Sequence, residues 1–304
     1  MALAPCNSKT DPQGRELAQH GTGLFPIACY HDDLIQDPVP WHWHDELETA
    51  LVTEGTAEVA IGAEHLILTQ GEGFFVTAGV LHGAWVHGDA GCRFHSVVFH
   101  PRLVGGSRDS IFWQNYVQPL LTPSAPKGVF FRPSLRSWHG EALQAVERTW
   151  QSCANEPAGY DLQAREALSR LAFLLTRHCA APAEVPSERA LREERRVKQM
   201  LQFIQEEYAS ELNTASIARS ATVSESECLR CFRHLLGIPP IQYLRQFRVQ
   251  KAAELLRTTD WSAAEIGARC GFQDASYFTR AFREIKGVTP SAYRRQAAPG
   301  GARQ

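Results

Sequence analysis

The sequence predicts an α+β multidomain protein: an N-terminal antiparallel β-barrel followed by two helices, and an all-α C-terminal domain with two helix-turn-helix units. Between residues 22 and 100, short β-rich runs alternate at nearly even spacing with Gly-bearing turns, which is typical of an antiparallel barrel or sandwich. From Trp138 onward, apolar residues recur with the period of amphipathic helices. Beyond Arg196, helical stretches are broken by Gly, Pro and capping residues.

The composition is that of an ordinary globular protein. The 304 residues suffice for roughly two domains of about 150 residues, and 44% are hydrophobic and 21% charged. The start of the chain lacks a basic stretch followed by an apolar one, and no apolar run reaches the roughly 18 residues of a membrane span. We therefore expect a cytoplasmic protein without membrane association. The eight cysteines are too sparse for a disulfide scaffold, so most are expected to be buried thiols.

The two parts of the chain differ in charge, although the net charge is only −2. Residues 1–186 hold 12 basic and 20 acidic residues, whereas residues 187–304 hold 19 basic and 13 acidic ones. A basic C-terminal part is compatible with a polyanionic partner and equally with an ordinary solvated surface. The Pro-, Ala- and charge-rich segment 181–196 is interpreted as a linker between a domain at 1–180 and a domain at 197–297.

The first domain contains six predicted strands and two predicted helices. The strands are Leu47–Thr53, Ala57–Ile61, His65–Leu68, Gly73–Thr77, Ala84–His87 and Cys92–Phe99, each bounded by turn residues. The helices lie at 138–154 and 160–179, and their apolar stripes predict an antiparallel pair.

The C-terminal domain contains one layout twice: a short helix, a turn, and a second helix with aromatic residues inward and basic residues elsewhere. Ser224 and Ser262, each three residues before a glutamate, predict helix starts of the capping-box type, and Asp274 predicts another helix start. Pro240 begins a long helix to about Arg257 that separates the two copies. This duplicated helix-turn-helix suits double-stranded DNA, because an α-helix fits the major groove. The separating helix, about 27 Å long, suits recognition helices in successive grooves about 34 Å apart.

The run at 265–294, EIGARCGFQDASYFTRAFREIKGVTPSAYR, and the pattern at 217–256 carry a specific resemblance. Both are similar to the DNA-binding domain of the AraC/XylS family of bacterial transcription regulators. The sequence departs from the family at Thr222 and Cys228, where Gly and Leu are usual, and at Gly267, where Ala is usual. We expect these departures to loosen local packing without removing the DNA-facing side chains.

The resemblance implies which side chains face DNA. In the first unit they are Ser226, Leu229, Arg230 and Arg233, and in the second unit they are Ala275, Ser276, Thr279, Arg280 and Arg283. Arg230 and Arg280 are favoured as contacts, whereas Leu229 and Ala275 offer only apolar contact to a thymine methyl group. Taken singly, each arginine is better explained by a solvated helix face.

Three histidines and a glutamate of the first domain form a pattern with metal-ligand spacing. In an extended strand His42 and His44 point to the same face, and His82 from another strand can converge on them inside a barrel. Their spacing, with that of Glu48 and nearby glycines, resembles the two motifs of cupins, with Thr77 where Pro is common. This quartet suits a divalent first-row metal ion. The alternative is a hydrogen-bonded structural role or a ligand contact without metal.

The resemblance also implies that the first domain binds a small-molecule effector. The candidate contacts are Trp41, Trp43, His44, Glu48, Phe75, His82 and Trp85. Aromatic residues in a small barrel are also explained as core.

Together, these features predict a transcription regulator in which an effector alters how two protomers bind promoter DNA. In the family, helices such as those at 138–154 and 160–179 mediate dimerisation, while packing against the barrel is an equal alternative. RNA polymerase is a further candidate partner, and no catalysis is required. The competing interpretation is a metal-dependent cupin enzyme, an oxygenase or isomerase, with an accessory helical domain.

Overall fold

The computed structural model describes residues 2–4, 10, 15–35, 39–88, 91–122, 125–179 and 188–297. These residues form two compact units, one up to residue 191 and the other from residue 192 onward. None of the helices in these ranges combines the length and the apolarity that a bilayer crossing requires.

The N-terminal unit contains an eight-stranded sheet, and every strand pairing in it is antiparallel. Its strands are β1 (Ile27–Asp33), β2 (Val39–His42), β3 (Leu47–Ile61), β4 (Glu64–Thr69), β5 (Gly73–Val76), β6 (His82–Val86), β7 (Cys92–Phe99) and β8 (Gly128–Phe131). Neighbouring strands follow the order β1-β7-β3-β5-β8, while β4 and β6 also pair with β3, and β2 pairs with β6. The predicted antiparallel fold is confirmed. Among the described strands no pairing joins β1 to β8, so closure into a barrel stays a prediction.

Strand β3 organises the sheet because it pairs with four other strands. Its first part pairs with β5 and β7, and its last part pairs with β4 and β6. The sequence predicted two strands here, but the structure shows one strand of 15 residues. The pairing with β7 shifts register after Val52, and at Gly55 the backbone has a φ of 74°. A β-carbon at Gly55 would lie 1.9 Å from the Gly91 carbonyl oxygen, so only glycine fits this bend.

The two faces of the sheet belong to different cores. Leu47 and Phe75 pack with the helices α3 (Ser137–Asn155) and α4 (Tyr160–Cys179). Ala50 and Phe74 point to the other face and form a second apolar core with residues of β4 and β6. The predicted helix pair is confirmed, and its buried side packs against the sheet. Two short helices, α1 (Arg102–Gly105) and α2 (Gln118–Leu121), and a π-helical turn at Trp113–Val117 lie between β7 and β8.

Seven helices form the described part of the C-terminal unit, and the predicted all-α fold is confirmed. They are α5 (Glu188–Glu207), α6 (Thr214–Ser220), α7 (Glu225–Leu236), α8 (Pro240–Thr258), α9 (Ala263–Arg269), α10 (Ala275–Lys286) and α11 (Pro290–Ala297). Helix α8 contacts α6 and α7 on one side of the repeat and α9, α10 and α11 on the other. It has 19 residues and is therefore about 28 Å long. Of the segment interpreted as a linker, residues 181–187 lie outside the described residues, and residues 188–196 form the first half of α5.

The helix starts follow the predicted caps. Oγ of Ser224 accepts a hydrogen bond from the backbone N–H of Glu227 at 3.2 Å, and Ser262 does the same for Glu265 at 3.1 Å. The Glu227 and Glu265 side chains pair with arginines on their own helices, at positions 230 and 269. Both helices therefore begin with a serine N-cap. In a capping box the glutamate side chain would accept from the backbone N–H of that serine, but here each glutamate pairs with an arginine.

Candidate nucleic-acid interface and candidate metal centre

In both helix-turn-helix units the first helix ends in the same hydrogen-bond pattern. In the first unit, Val223 N–H donates to Ala218 O at 3.1 Å and Thr222 N–H donates to Arg219 O at 3.0 Å. In the second unit the corresponding residue to Thr222 is Gly271, and the same two bonds are present at 2.9 and 3.0 Å. This arrangement is a Schellman motif, which requires a left-handed residue at its centre. Thr222 has a φ of 55° and Gly271 a φ of 81°, so threonine occupies a backbone conformation that favours glycine.

The second recognition helix, α10, presents its predicted residues together. Asp274 caps the helix by accepting a hydrogen bond from Tyr277 N–H at 2.6 Å, while Phe278 and Phe282 are buried. All five side chains that the resemblance assigns to DNA are exposed: Ala275, Ser276, Thr279, Arg280 and Arg283. They line one open groove of about 780 Å³, together with Glu284 and Thr289. Arg280 lies over the Tyr277 ring at 5.7 Å. The side chains that would meet DNA therefore share one solvent-facing surface.

The first recognition helix, α7, presents only part of its predicted set. Ser226 and Arg233 are exposed, and Leu229 is half-buried. Arg230 is half-exposed, and its guanidinium is bound by two carboxylates of the same unit. It donates to Glu193 Oε1 at 2.5 Å and to both oxygens of Glu227, at 2.8 and 2.9 Å. In this structure Glu193 of α5 and Glu227 of α7 therefore bind the Arg230 guanidinium, and its contact with DNA stays a prediction.

The two units fill the space between their helices with different residue pairs. In the second unit Gly267 is buried, and a β-carbon there would lie 2.8 Å from Cδ1 of Phe278. At the matching positions of the first unit stand Ala218 and Cys228, both buried. The first unit thus pairs alanine with cysteine at these positions, and the second unit pairs glycine with phenylalanine. Cys228 and Gly267, at which the sequence departs from the family pattern, are each one member of such a pair.

In the N-terminal unit, the four residues of the predicted metal quartet come together. His42 in β2 is the register partner of His82 in β6, and Glu48 comes from β3. One ligand atom from each of His42, His44, Glu48 and His82 lies within 4.8 Å of the others, and all four residues are buried. The convergence that strand alternation predicts is therefore present.

Each histidine of the quartet is oriented by a backbone carbonyl. Nδ1 of His42, His44 and His82 lies 2.9, 3.1 and 2.8 Å from the carbonyl oxygens of Pro40, Glu46 and Val80. Because a carbonyl only accepts, each Nδ1 carries the proton, and in a neutral ring Nε2 keeps a lone pair. This is how histidines are held for metal binding through Nε2.

The inner atoms of the quartet face one another. Oε2 of Glu48 lies 3.0 Å from Nε2 of His44 and 2.8 Å from Nε2 of His82. With Nδ1 already protonated, these contacts need either a second proton on each ring or a cation among the lone pairs. Three imidazole nitrogens and one carboxylate form a donor set that fits a divalent first-row metal ion.

The pKa values reflect the same charges. Burial raises the pKa of Glu48, but the charge of His82 and hydrogen bonds from His44 and His82 outweigh it and hold this pKa well below its usual range. Burial alone would lower the pKa of His82, but the Glu48 carboxylate raises it by more, so the pKa of His82 lies above its usual value. Burial and the positive charge of His82 lower the pKa of His42 to about 4. His42 is therefore neutral near pH 7 and can offer a lone pair.

A second carboxylate, whose side chain is 10% exposed, borders this centre, and sequence reasoning missed it. Oε2 of Glu16 lies 3.7 Å from Nε2 of His42 and 3.2 Å from Nε2 of His20. Nδ1 of His20 in turn lies 2.8 Å from the Tyr30 hydroxyl. The Glu16 backbone N–H donates to Trp43 O at 2.8 Å, which brings the N-terminal segment alongside the histidines. No local motif signals this contact because it joins residues far apart in the sequence.

The aromatic residues proposed to contact an effector do not share one site. Phe75 is packed among residues of the α3 and α4 core, on the sheet face opposite Glu48. Trp41 and Trp85 alternate with His42 and His82 along their strands, and their rings pack together at 5.5 Å on the opposite face. Because side chains of neighbouring strand residues point to opposite faces, these three rings lie away from the face that carries Glu48 and His82, and their contact with an effector stays a prediction. Trp43 follows β2, is half-buried, and has the Arg15 guanidinium 5.8 Å from its ring centre.

Two family models match this chain. Residues 24–172 match an "AraC-like ligand binding domain", and residues 217–296 match a "Helix-turn-helix domain". The first contains the histidine and glutamate cluster, and the second contains both recognition helices.

Several relatives match nearly the whole chain. It is 28% identical over 292 residues to the uncharacterized HTH-type transcriptional regulator YdeC of Bacillus subtilis (strain 168), covering 95% of this chain and 98% of the relative. It is 28% identical to the HTH-type transcriptional activator RhaS of Citrobacter koseri, covering 86% of this chain and 89% of that one. It is 26% identical to the arabinose operon regulatory protein of Salmonella typhimurium, covering 90% and 91%.

Proposed function

Because the chain belongs to the AraC-type transcriptional regulators, which join a ligand-binding domain to a helix-turn-helix domain, we propose that it reads promoter DNA chiefly through α10. The observation that carries this assignment is the shared exposure of the five predicted side chains of α10 along one groove. Arg280 and Arg283 supply positive charge for phosphates and base edges, and Ser276 and Thr279 supply hydroxyl groups. Helix α7 reads a neighbouring turn of DNA through Ser226 and Arg233.

The experiment begins with a DNA duplex that the wild-type protein selects from a random library. Its affinity for Arg280→Ala and Arg283→Ala variants is measured by fluorescence anisotropy at several salt concentrations. Each change is expected to weaken binding roughly 10-fold or more, and to lower the slope of log affinity against log salt by about 0.9. Lys251→Ala on α8 removes the same charge from a residue paired with Glu254 at 3.0 Å and serves as the control. Equal losses in all three variants contradict the assignment to α10.

The proposal includes no catalytic step. The named relatives are transcriptional regulators, and binding of DNA is sufficient for that activity. A regulator of promoters works where the chromosome is, so we place the chain in the cytoplasm, with RNA polymerase as a candidate partner. Turnover of a small molecule by the purified protein, without sequence-selective DNA binding, would instead support the enzyme interpretation.

We also propose that two protomers associate through the exposed sides of α3 and α4. The buried sides of these helices pack against the sheet, so a second protomer would meet residues such as Leu162, which is 68% exposed. Light scattering on the intact protein tests this, with Leu162→Glu expected to shift the mass toward that of a monomer. An unchanged dimer in this variant would place the interface elsewhere.

A second function is favoured by the histidine cluster: a divalent metal ion as a cofactor of sensing. His42, His44, Glu48 and His82 would hold the ion, and Glu16 would add a second negative charge beside it. Bound there, a metal would offer a Lewis-acidic position to an effector with oxygen or nitrogen donors. The protein's own contribution is to orient three Nε2 atoms inward through the backbone carbonyls.

Metal analysis of protein purified without chelator tests this second function. One equivalent is expected in the wild type, with strong losses in His42→Ala and His82→Ala. His65→Ala is the matched control, because His65 lies on β4 and pairs with Glu58 at 3.2 Å. Equal metal content in all four proteins, or none in the wild type, contradicts the assignment.

A further inference from the structure

A buried carboxylate of α5 holds two cationic or proton-donating side chains of α7. Glu193 is 3% exposed. Its Oε1 accepts from Nη2 of Arg230 at 2.5 Å, and its Oε2 lies 3.0 Å from Nδ1 of His234. Both partners lie on the first recognition helix. One carboxylate therefore spans two successive turns of α7.

A second carboxylate completes the binding of Arg230. Oε1 of Glu227 accepts from Nη2 of Arg230 at 2.8 Å and from Nη1 of Arg196 at 3.1 Å. Oε2 of Glu227 accepts from Nε of Arg230 at 2.9 Å. Hydrogen bonds from Arg230 hold the pKa of Glu227 at about 2, so this carboxylate stays charged at neutral pH. Two arginines and two glutamates thus cancel in formal charge at the surface where α7 would approach DNA.

The second recognition helix has no equivalent of this arrangement among the described residues. Arg280 occupies the position in α10 that Arg230 occupies in α7, and its side chain is exposed beside the Tyr277 ring. Glu284, the acidic residue of that groove, pairs with Arg245 on α8 at 2.7 Å. The two helix-turn-helix units therefore differ in a specific way: the arginine of one is exposed, and the arginine of the other is bound internally.

A carboxylate and a phosphate compete for the same N–H donors of a guanidinium. Both are anions whose oxygen pair accepts parallel N–H donors, so one guanidinium edge cannot satisfy both at once. For Arg230 to bind a nucleic-acid phosphate or a guanine through both Nη1 and Nη2, the hydrogen bond from Nη2 to Glu193 must break. The free energy of this bond is then subtracted from that of DNA binding.

We propose that Glu193 is an internal competitor of DNA that holds the first recognition helix in a low-affinity state. Binding by α7 proceeds by exchange, in which DNA replaces the Glu193 carboxylate at Arg230 and His234. Helix α5 is the first helix of the C-terminal unit, so a displacement of α5 that withdraws Glu193 raises the affinity of α7. This inference rests on the proposed function and adds its regulation.

The test compares Glu193→Gln with Glu194→Gln in the full-length protein. Glu194 is the next residue of α5 and pairs with Lys198 at 3.1 Å, so its substitution removes the same charge from the same helix without touching Arg230. The probe is the duplex selected by the wild-type protein. E193Q is expected to bind roughly tenfold more tightly than wild type, since a neutral amide forms weaker bonds to a guanidinium than a carboxylate does. E194Q is expected to stay within about twofold.

Salt dependence separates competition from a merely structural role. With Arg230 released to a phosphate, the slope of log affinity against log salt should steepen by about 0.9 in E193Q. In the Arg230→Ala background the gain from E193Q should disappear, because the competitor has lost its main target. If E193Q fails to fold, as judged by circular dichroism, Glu227→Gln provides the second route to release Arg230 and should also tighten binding.

Weaker or unchanged DNA binding by folded E193Q overturns the inference, since Glu193 then positions Arg230 for DNA rather than withholding it. An equal gain in E194Q overturns it as well, because the effect is then general electrostatics. A wild-type protein that selects no sequence from the library is a different result, and it contradicts the proposed function itself.

Discussion

Replacing Thr222 by glycine is expected to stabilise the C-terminal unit by about 0.5–1 kcal/mol. Thr222 is the left-handed residue of the first Schellman motif, with a φ of 55°, and its side chain is exposed. A residue with a β-carbon pays about 1–2 kcal/mol in this region of backbone space. Glycine avoids that cost but loses about 0.5–1 kcal/mol more conformational entropy on folding. The difference between these two terms gives the expected gain.

Differential scanning calorimetry of the full chain measures the effect. The transition of the C-terminal unit should rise by about 2–6 °C in Thr222→Gly. Hydrogen exchange of peptides that span α6 and α7 locates the gain, because slower exchange is expected there and not in α9 and α10. The N-terminal unit provides an internal reference, since its transition should not move.

Gly271→Ala is the matched opposite. Gly271 has a φ of 81°, and a β-carbon there would lie 2.6 Å from the Tyr208 carbonyl oxygen and 2.9 Å from the Arg248 guanidinium. Strain and collision act together, so this variant should lose more than about 1 kcal/mol. A Thr222→Gly protein that melts at or below the wild-type temperature would refute the reasoning, and so would a neutral Gly271→Ala.

Three further outcomes are expected. Metal ions added to chelator-treated protein should stabilise the N-terminal unit, by about 2.7 kcal/mol at a free concentration 100 times Kd; calorimetry should show this in His65→Ala and not in His82→Ala. Asp274→Ala removes the cap bond to Tyr277 N–H and should cost about 1 kcal/mol in urea unfolding, whereas Asp274→Asn should retain most of it. Phe282→Ala, at a fully buried position, should cost about 3–5 kcal/mol in the same assay, and a loss below about 1 kcal/mol would contradict the burial of this ring.

The helical unit could be predicted closely because its signals are local. Ser224, Ser262 and Asp274 cap the helices they were expected to cap. The duplicated layout was visible because it repeats at nearly constant spacing. In the sheet, β1 and β8 were not predicted from the sequence, and β2 was predicted only as an extended stretch at His42 and His44. Each becomes a strand through pairing with a distant partner rather than through its own composition.

Site residues could be predicted where a sequence motif sets their spacing. They could not be predicted where the contact joins residues that only the tertiary fold brings together. The quartet converges because register pairs His42 of β2 with His82 of β6, while Glu48 comes from β3 and His44 lies just beyond β2. Trp41 was assigned to the same pocket although alternation turns it to the other face. The contact of Glu193 with Arg230 joins two helices across 37 positions, and no spacing rule signals it.

The filling of the space between helices in each helix-turn-helix unit limits how DNA preference can be re-engineered. The ring of Phe278 occupies room that exists because position 267 lacks a β-carbon, whereas the first unit carries Ala218 opposite its own recognition helix. In a chimaera that carries α10 alone in the first unit, the Phe278 ring would clash with the Ala218 methyl group. Specificity should therefore be exchanged as two-helix cassettes, α6 with α7 or α9 with α10, and diversity libraries should vary only the solvent-facing positions.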